Sequence, residues 1–312
     1  MSLSNLSAKA LHRLATHCGL SKNGTKAILT ARLQSAALNY SPLPPSARIL
    51  SIDLGLRNFA FSLLTVPPSS PLNPSSPKPS PNPKSTKKQP LVTLHAWRHI
   101  NLLEQQQKEN KNEKESPNTN DNDDDDPFAP PSMSHRAVSL ILQHLLPLNP
   151  THILIERQRF RSGGQAAVQE WTLRVNTLEA MLYASLATIK ALNIKKWNGQ
   201  LLAVPPSRVV KYLVGDEGVG ERLLLERMLE AGGLELASEE VRAMATAFRE
   251  AGQKKGRKGK KGEEDVSVAE EVGLDTGTWT KRDDLTDCLL QGIVWLEWHR
   301  NVDEMKRTVD WS

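Results

Sequence analysis

Arg48-Ile-Leu-Ser-Ile-Asp-Leu-Gly-Leu-Arg-Asn-Phe-Ala-Phe-Ser-Leu-Leu64 is the stretch on which the fold turns. Ile49–Asp53 is a short apolar run that ends in a carboxylate, and Phe59–Val66 is a second run beyond a turn at Gly55. Runs of this length around a turn residue read as paired strands. Working outward, Leu91–Leu102 reads as a third strand and His152–Glu156 as a short buried strand that also ends in an acid. Leu201–Val204 reads as another strand, stopped by Pro205-Pro206. Helical periodicity marks Val138–Leu146, Gln165–Ala191, Glu221–Ala231, Ser238–Ala251 and a last segment from about Asp283 to Met305. Strand, hairpin, strand, helix, strand, helix, strand, helix predicts an α/β fold with a mixed five-stranded sheet flanked by helices.

Three stretches interrupt this pattern, near residues 67–90, 104–132 and 252–275. They are rich in Pro, Ser, Asn, Gly and Lys, and the second ends in the acidic run Asp123 to Asp126. None holds enough apolar surface to offset its ordering entropy, so they read as disordered insertions in a domain spanning 47–308. No apolar run approaches the length of a membrane span, so no membrane partner is expected. Cys18 and Cys288 lie far apart and form no CxxC pair, which argues against a disulfide framework or a zinc knuckle.

The net charge is +5, and its distribution is uneven. From Met1 to Ile52 there is no Asp or Glu, while Lys9, Arg13, Lys22, Lys26, Arg32 and Arg48 are all present. An acid-free basic segment suits a polyanion partner. An organellar import signal has similar composition, but no clean cleavable presequence is visible. Residues 1–40 instead read as two short amphipathic helices, with Leu6, Leu11, Leu14, Leu20, Ile28, Leu29 and Leu33 closing a small core. Gly19-Leu20, Gly24-Thr25-Lys26 and Arg32-Leu33 resemble the core of a SAP motif, a helix–extended–helix DNA-binding module. That resemblance implies contact with the backbone of duplex DNA, with Lys22 and Lys26 facing phosphate.

A carboxylate at the end of a buried strand is costly to desolvate unless a cation neutralises it. Asp53 and Glu156 are two such groups. The cluster Lys281-Arg-Asp-Asp-Leu-Thr-Asp287 opens the last helix and adds three more acids. Asp287 is one helical turn beyond Asp283 and Asp284, so either can share its face. Asp283 and Asp284 diverge by about 100 degrees, so one of the two is expected to bind metal directly; spacing does not choose between them. Carboxylates from separate elements, converging on Mg2+ or Mn2+, make a phosphodiester-cleaving site in which two ions flank the scissile phosphate.

Asp53, Glu156 and the Asp cluster, in strand–strand–helix order, resemble the RNase H-like nucleases, and within them the RuvC-type resolvases. The carrying segments are Ser51-Ile-Asp-Leu-Gly-Leu-Arg-Asn-Phe-Ala, Ile155-Glu-Arg-Gln-Arg-Phe-Arg-Ser, Val204-Pro-Pro-Ser-Arg-Val and Lys281-Arg-Asp-Asp-Leu-Thr-Asp. The chain looks most similar to the fungal mitochondrial Holliday-junction resolvases, a branch that also carries a SAP-like N-terminus. The resemblance implies an RNase H-like sheet and a Mg-dependent endodeoxyribonuclease that nicks four-way junctions in pairs. It implies Asp53, Glu156 and Asp287 as metal ligands, with Asp284 or Asp283 as the fourth and Lys281 as a phosphate-facing cation. It also implies a mitochondrial location, with the nucleus as the alternative.

Arg157, Gln158, Arg159, Phe160 and Arg161 follow directly after Glu156 and suit a DNA branch point: guanidiniums clamp phosphate and an aromatic wedges unstacked bases. A four-way junction has approximate two-fold symmetry, so paired nicks call for a homodimer. The Gln165–Ala191 helix is apolar on more than one face, as a dimer helix would be. No small-molecule cofactor is expected. Three other readings stay open: an RNase H-like nuclease acting on RNA–DNA hybrids or flaps, a non-catalytic SAP-tethered DNA scaffold, and a sugar-kinase or actin-like ATPase. The last lacks a second Gly-rich phosphate loop.

Overall fold

β1 (Ile49–Asp53) runs through the middle of the sheet, with every residue buried. It pairs antiparallel with β2 (Phe59–Thr65) and parallel with β4 (His152–Glu156). β3 (Val92–Ile100) continues antiparallel from β2, β5 (Gln200–Val204) lies parallel to β4, and β6 (Leu234–Leu236) lies parallel to β3. The order is β5-β4-β1-β2-β3-β6. The computed structural model describes residues 3–68, 70, 90–103, 126–158, 170–214, 233–254 and 283–309.

Alternation along β1 and β4 sends successive side chains to opposite faces. Leu50, Ile52, Ile153 and Ile155 face one core layer, closed by α3 (Pro130–Ser139, continuing as a wider π turn through Leu145) and α4 (Glu170–Ala191). Ile49, Leu64 and Leu154 face the other layer, closed by α6 (Glu239–Lys254) and α7 (Asp283–Thr308). A short helix α5 (Pro206–Val214) follows β5 and also contacts α7.

Among the described residues the sheet has six strands, not the expected five. β6 is only three residues long and has too few positions to show a period of two. Two segments read as breaks are helix starts. Pro206 opens α5 and Pro130 opens α3, so the expected insertion at 104–132 ends earlier. Proline's fixed φ and missing N–H suit the first helical turn. α6 likewise runs on to Lys254, past the expected start of the 252–275 insertion. The helix expected at Glu221–Ala231 and the first residues of the one expected at Gln165 lie outside the described residues.

α1 (Ala8–His17) and α2 (Lys26–Leu38) start at Ser7 and Thr25, whose hydroxyls accept from Ala10 N and Ile28 N. Their apolar faces do not close on each other alone. Leu3, Leu11, Ala15, Leu29 and Leu33 share a core with Val302, Met305 and Val309 at the far end of α7.

Candidate active site

The register builds the site. Ile52 lies opposite Ile155 across the parallel β1–β4 pair, so one step further sets Asp53 beside Glu156. Both follow the parity of Leu154 and Ile49, which is the face that α7 covers. α7 is clamped there by polar contacts in the dry interior. Gln291 Nε2 donates to Ser51 Oγ at 3.0 Å and to the Ile52 carbonyl at 3.2 Å. Ser62 Oγ donates to the Cys288 carbonyl at 3.2 Å, and Trp97 Nε1 to the Leu285 carbonyl at 2.9 Å. Gly292 lets the helix ride close: a Cβ there would meet Leu64 Cδ1 at 2.7 Å and Ser51 Cβ at 3.1 Å.

The clamp aims Asp284 and Asp287 at Asp53. Burial raises the Asp53 carboxyl well above the usual range; a hydrogen bond to Glu156 and the charges of Glu156, Asp284 and Asp287 raise it further. Sequence-distant acids from β1, β4 and α7 therefore stand in one another's electrostatic field. Asp283 is exposed, whereas Asp284 is half-buried with its Oδ2 shielded from solvent. Among the described residues, no three His, Cys, Asp or Glu side chains are drawn into a tight metal-gripping group. The donor set nonetheless fits a hard divalent ion, because it offers several carboxylates and no soft ligand.

Arg157 is exposed next to Glu156, and its backbone N–H donates to the Val204 carbonyl at 2.9 Å. Gln158 is half-buried, and its backbone hydrogen-bonds Glu179 on α4. Burial raises the Glu179 carboxyl, and the Glu156 charge adds to that rise. Arg159, Phe160, Arg161 and Lys281 lie outside the described residues. Lys22 and Lys26 are both exposed in the helical pair, but the Lys26 ammonium donates to the Ser4 carbonyl at 2.7 Å. Gln291 and Glu179 are the polar residues that sequence reasoning missed. Gln291 was findable: it lies four residues after Asp287 and seven after Asp284, on the same helix face. Glu179 had no such signal, since only the packing of α4 brings it to β4.

A mixed sheet in this order, with acids meeting from two parallel strand ends and one crossing helix, defines the RNase H-like class of folds. Within that class the assignment is narrower. Residues 49–305 match the family described as mitochondrial resolvase Ydc2 / RNA splicing MRS1, and the chain belongs to that family. Cruciform cutting endonuclease 1, mitochondrial, of Schizosaccharomyces pombe is 33% identical over 174 residues, 56% of this chain and 53% of that protein. The chain thus spans about half the length of this curated relative. Among solved structures, the yeast mitochondrial Holliday junction resolvase Ydc2 superposes with a TM-score of 0.61 at 25% identity, covering 96% of this chain and 97% of that one.

Proposed function

We propose that this chain is a divalent-metal-dependent, structure-selective endonuclease that resolves four-way DNA junctions as a homodimer, in the mitochondrion like the relatives it resembles. One observation carries the reading: Asp53, buried at the end of β1, sits under the charges of Glu156, Asp284 and Asp287. Such a set is strongly unfavourable unless positive charge offsets it, and divalent cations held between these carboxylates and the scissile phosphate would supply that charge. Two magnesium or manganese ions would activate water and stabilise the leaving oxygen.

The protein's own groups do the rest. Asp53, Glu156, Asp284 and Asp287 are the ligand set, and Gln291 holds α7 so that two of them face β1. Exposed Arg157, one residue from Glu156, is placed to hold the strand through a bidentate phosphate contact. Lys22, Arg157 and Gln158 lie on the proposed DNA-facing edge; Arg159, Phe160, Arg161 and Lys281, outside the described residues, are proposed from the sequence alone as DNA contacts. Products would carry 5′-phosphate and 3′-hydroxyl ends. Pairing of two chains is supported by α4, whose Leu178, Leu182 and Leu186 are buried while Trp171 and Leu173 remain 40% and 49% exposed.

Asp53→Asn removes a ligand charge but keeps shape. It should abolish cutting of a labelled four-way junction in magnesium while junction binding persists. Loss of junction binding by the variant, or cutting by the parent chain in metal-free buffer, would sink the assignment. The family's description also covers an RNA-splicing protein, so the substrate panel should hold linear duplex, flap, RNA–DNA hybrid and structured RNA beside the junction.

A further inference from the structure

A cavity of about 280 Å³ lies between the loop joining α1 to α2 and the start of α5. Lys22, Arg157, Arg208 and Lys211 line it, and among the described residues its wall includes no acid. Four cations converge there from three parts of the chain: the α1–α2 loop, the residue after β4, and α5. The walls are held in place. Arg208 Nη1 donates to the Gly19 carbonyl at 3.0 Å, which ties α5 to the helical pair. Arg32 donates to the Ser21 and Asn23 carbonyls on either side of Lys22, fixing that loop.

The cavity is the immediate neighbour of the acids. Glu156 and Asp287 line a smaller hollow with Pro206, Val209 and Leu213, while Arg157, Pro205, Ser207 and Arg208 line the basic one. Adjacent residues thus alternate between the two, and α5 is the wall they share. Its apolar face turns to the acids, and Arg208 and Lys211, three apart, turn to the basic side. The positive end of the α5 dipole adds to the same field.

We infer that this cavity seats a backbone phosphate of the nucleic acid a short distance from the cut, so that the helical pair and α5 together set the strand's position over the acids. Lys211 and Arg208 are the new residues in this role; the inference rests on the junction-nuclease reading. A phosphate fits because the cavity is mostly polar and carries four cations and, among the described residues, no acid, and because such contacts read no base. The helical pair is then part of the active-site cleft and not a remote tether.

The test uses the full chain carrying Asp53→Asn, so that DNA stays uncut, with and without Lys22→Gln, Lys211→Gln or both. Binding of labelled junction and of linear duplex is followed against salt. Both lysines are exposed, so melting temperatures should not change. The double variant should bind every DNA more weakly and flatten the slope of log affinity against log salt by about 1, the value of one phosphate. Lys211→Arg should restore the slope. An unchanged slope overturns the inference. A fall of about 2, additive between the lysines, also overturns it, because two separate surface contacts behave that way. If the parent chain shows no preference for junctions, the proposed function fails, while the slope on duplex still decides the cavity.

Discussion

Asp283 and Asp284 are neighbours in sequence with opposite surroundings. Asp283 lies in solvent at the first turn of α7, while Asp284 acts on the buried Asp53. Asp283→Asn should therefore cost no more than the helix-dipole contribution, about 0.5 kcal/mol, and leave cleavage nearly unchanged. Asp284→Asn should lower junction cleavage on the order of 100-fold or more, beyond what loss of an outer-shell group costs. Equal effects in a single-turnover assay would reassign the ligand. A second residue-scale consequence sits far from the acids. His299 stacks on Trp295 at 5.3 Å and tilts against Tyr40 at 4.7 Å, with His152 and Asp303 as its charged neighbours. Burial first, then the His152 charge, lowers its pKa from 6.5 to about 4. The buried ring binds its proton less tightly than the unfolded chain does, so unfolding takes up a proton between those values. Stability is present above about pH 6.5 and is lost as pH falls toward 4. His299→Phe should flatten that limb by about 1 to 3 kcal/mol in urea titrations at pH 7, 5.5 and 4.5. An identical acid limb in the variant would assign it elsewhere.

At the scale of elements, α7 is the part that makes the site, and its distance from β1 is set by Gly292 and Gln291. Gly292→Ala has to push Leu64 or β1 away, at a cost of about 1 to 3 kcal/mol. Gln291→Leu keeps the bulk but leaves Ser51 Oγ and the Ile52 carbonyl without that donor, at a similar cost. Both should lower cleavage more than junction binding, because they shift Asp284 and Asp287 but no cation. Thermal melts beside cleavage and binding assays check this; a change confined to binding would refute it. The two strands that carry acids were legible to the residue. Ile49–Asp53 and His152–Glu156 are short, mostly apolar until the terminal acid, and flanked by turns. Pro130 and Pro206 read as breaks in the sequence, yet each opens a helix, so α5 and the basic cavity it walls leave no helical signal there. Leu234–Leu236 escaped because pairing to β3, a long-range event, makes it a strand. The acids were readable as a set because chemistry confines them to strand ends and one helix face. That Asp284 acts on the buried Asp53 while Asp283 lies in solvent depends on the helix's rotation against the sheet, which only packing determines.

For the whole molecule, the question is whether residues 1–40 are a detachable module. The contacts say they are built in. Leu3, Leu11, Leu29 and Leu33 bury against Val302 and Met305, and Asn301 Nδ2 donates to the His17 carbonyl at 2.8 Å. Gly19, at φ +67, lies under the Trp298 ring so closely that a Cβ would come within 2.3 Å of it. Only glycine tolerates both the left-handed backbone and that approach. Deleting residues 1–40 therefore strips one face of α7 and the wall of the basic cavity at once. The exposed Trp298, Val302 and Met305 should cost several kcal/mol at about 1.5 to 3 kcal/mol per buried side chain, a melting-point drop of roughly 10 °C. A detachable DNA tether predicts the opposite pair of results: unchanged melting in the absence of DNA, with affinity alone reduced. Affinity falls under both views, since the deleted stretch is basic and free of acids. The melting temperature without DNA is thus the quantity that separates them, and an unchanged value would show that the α7 contacts contribute nothing to the fold.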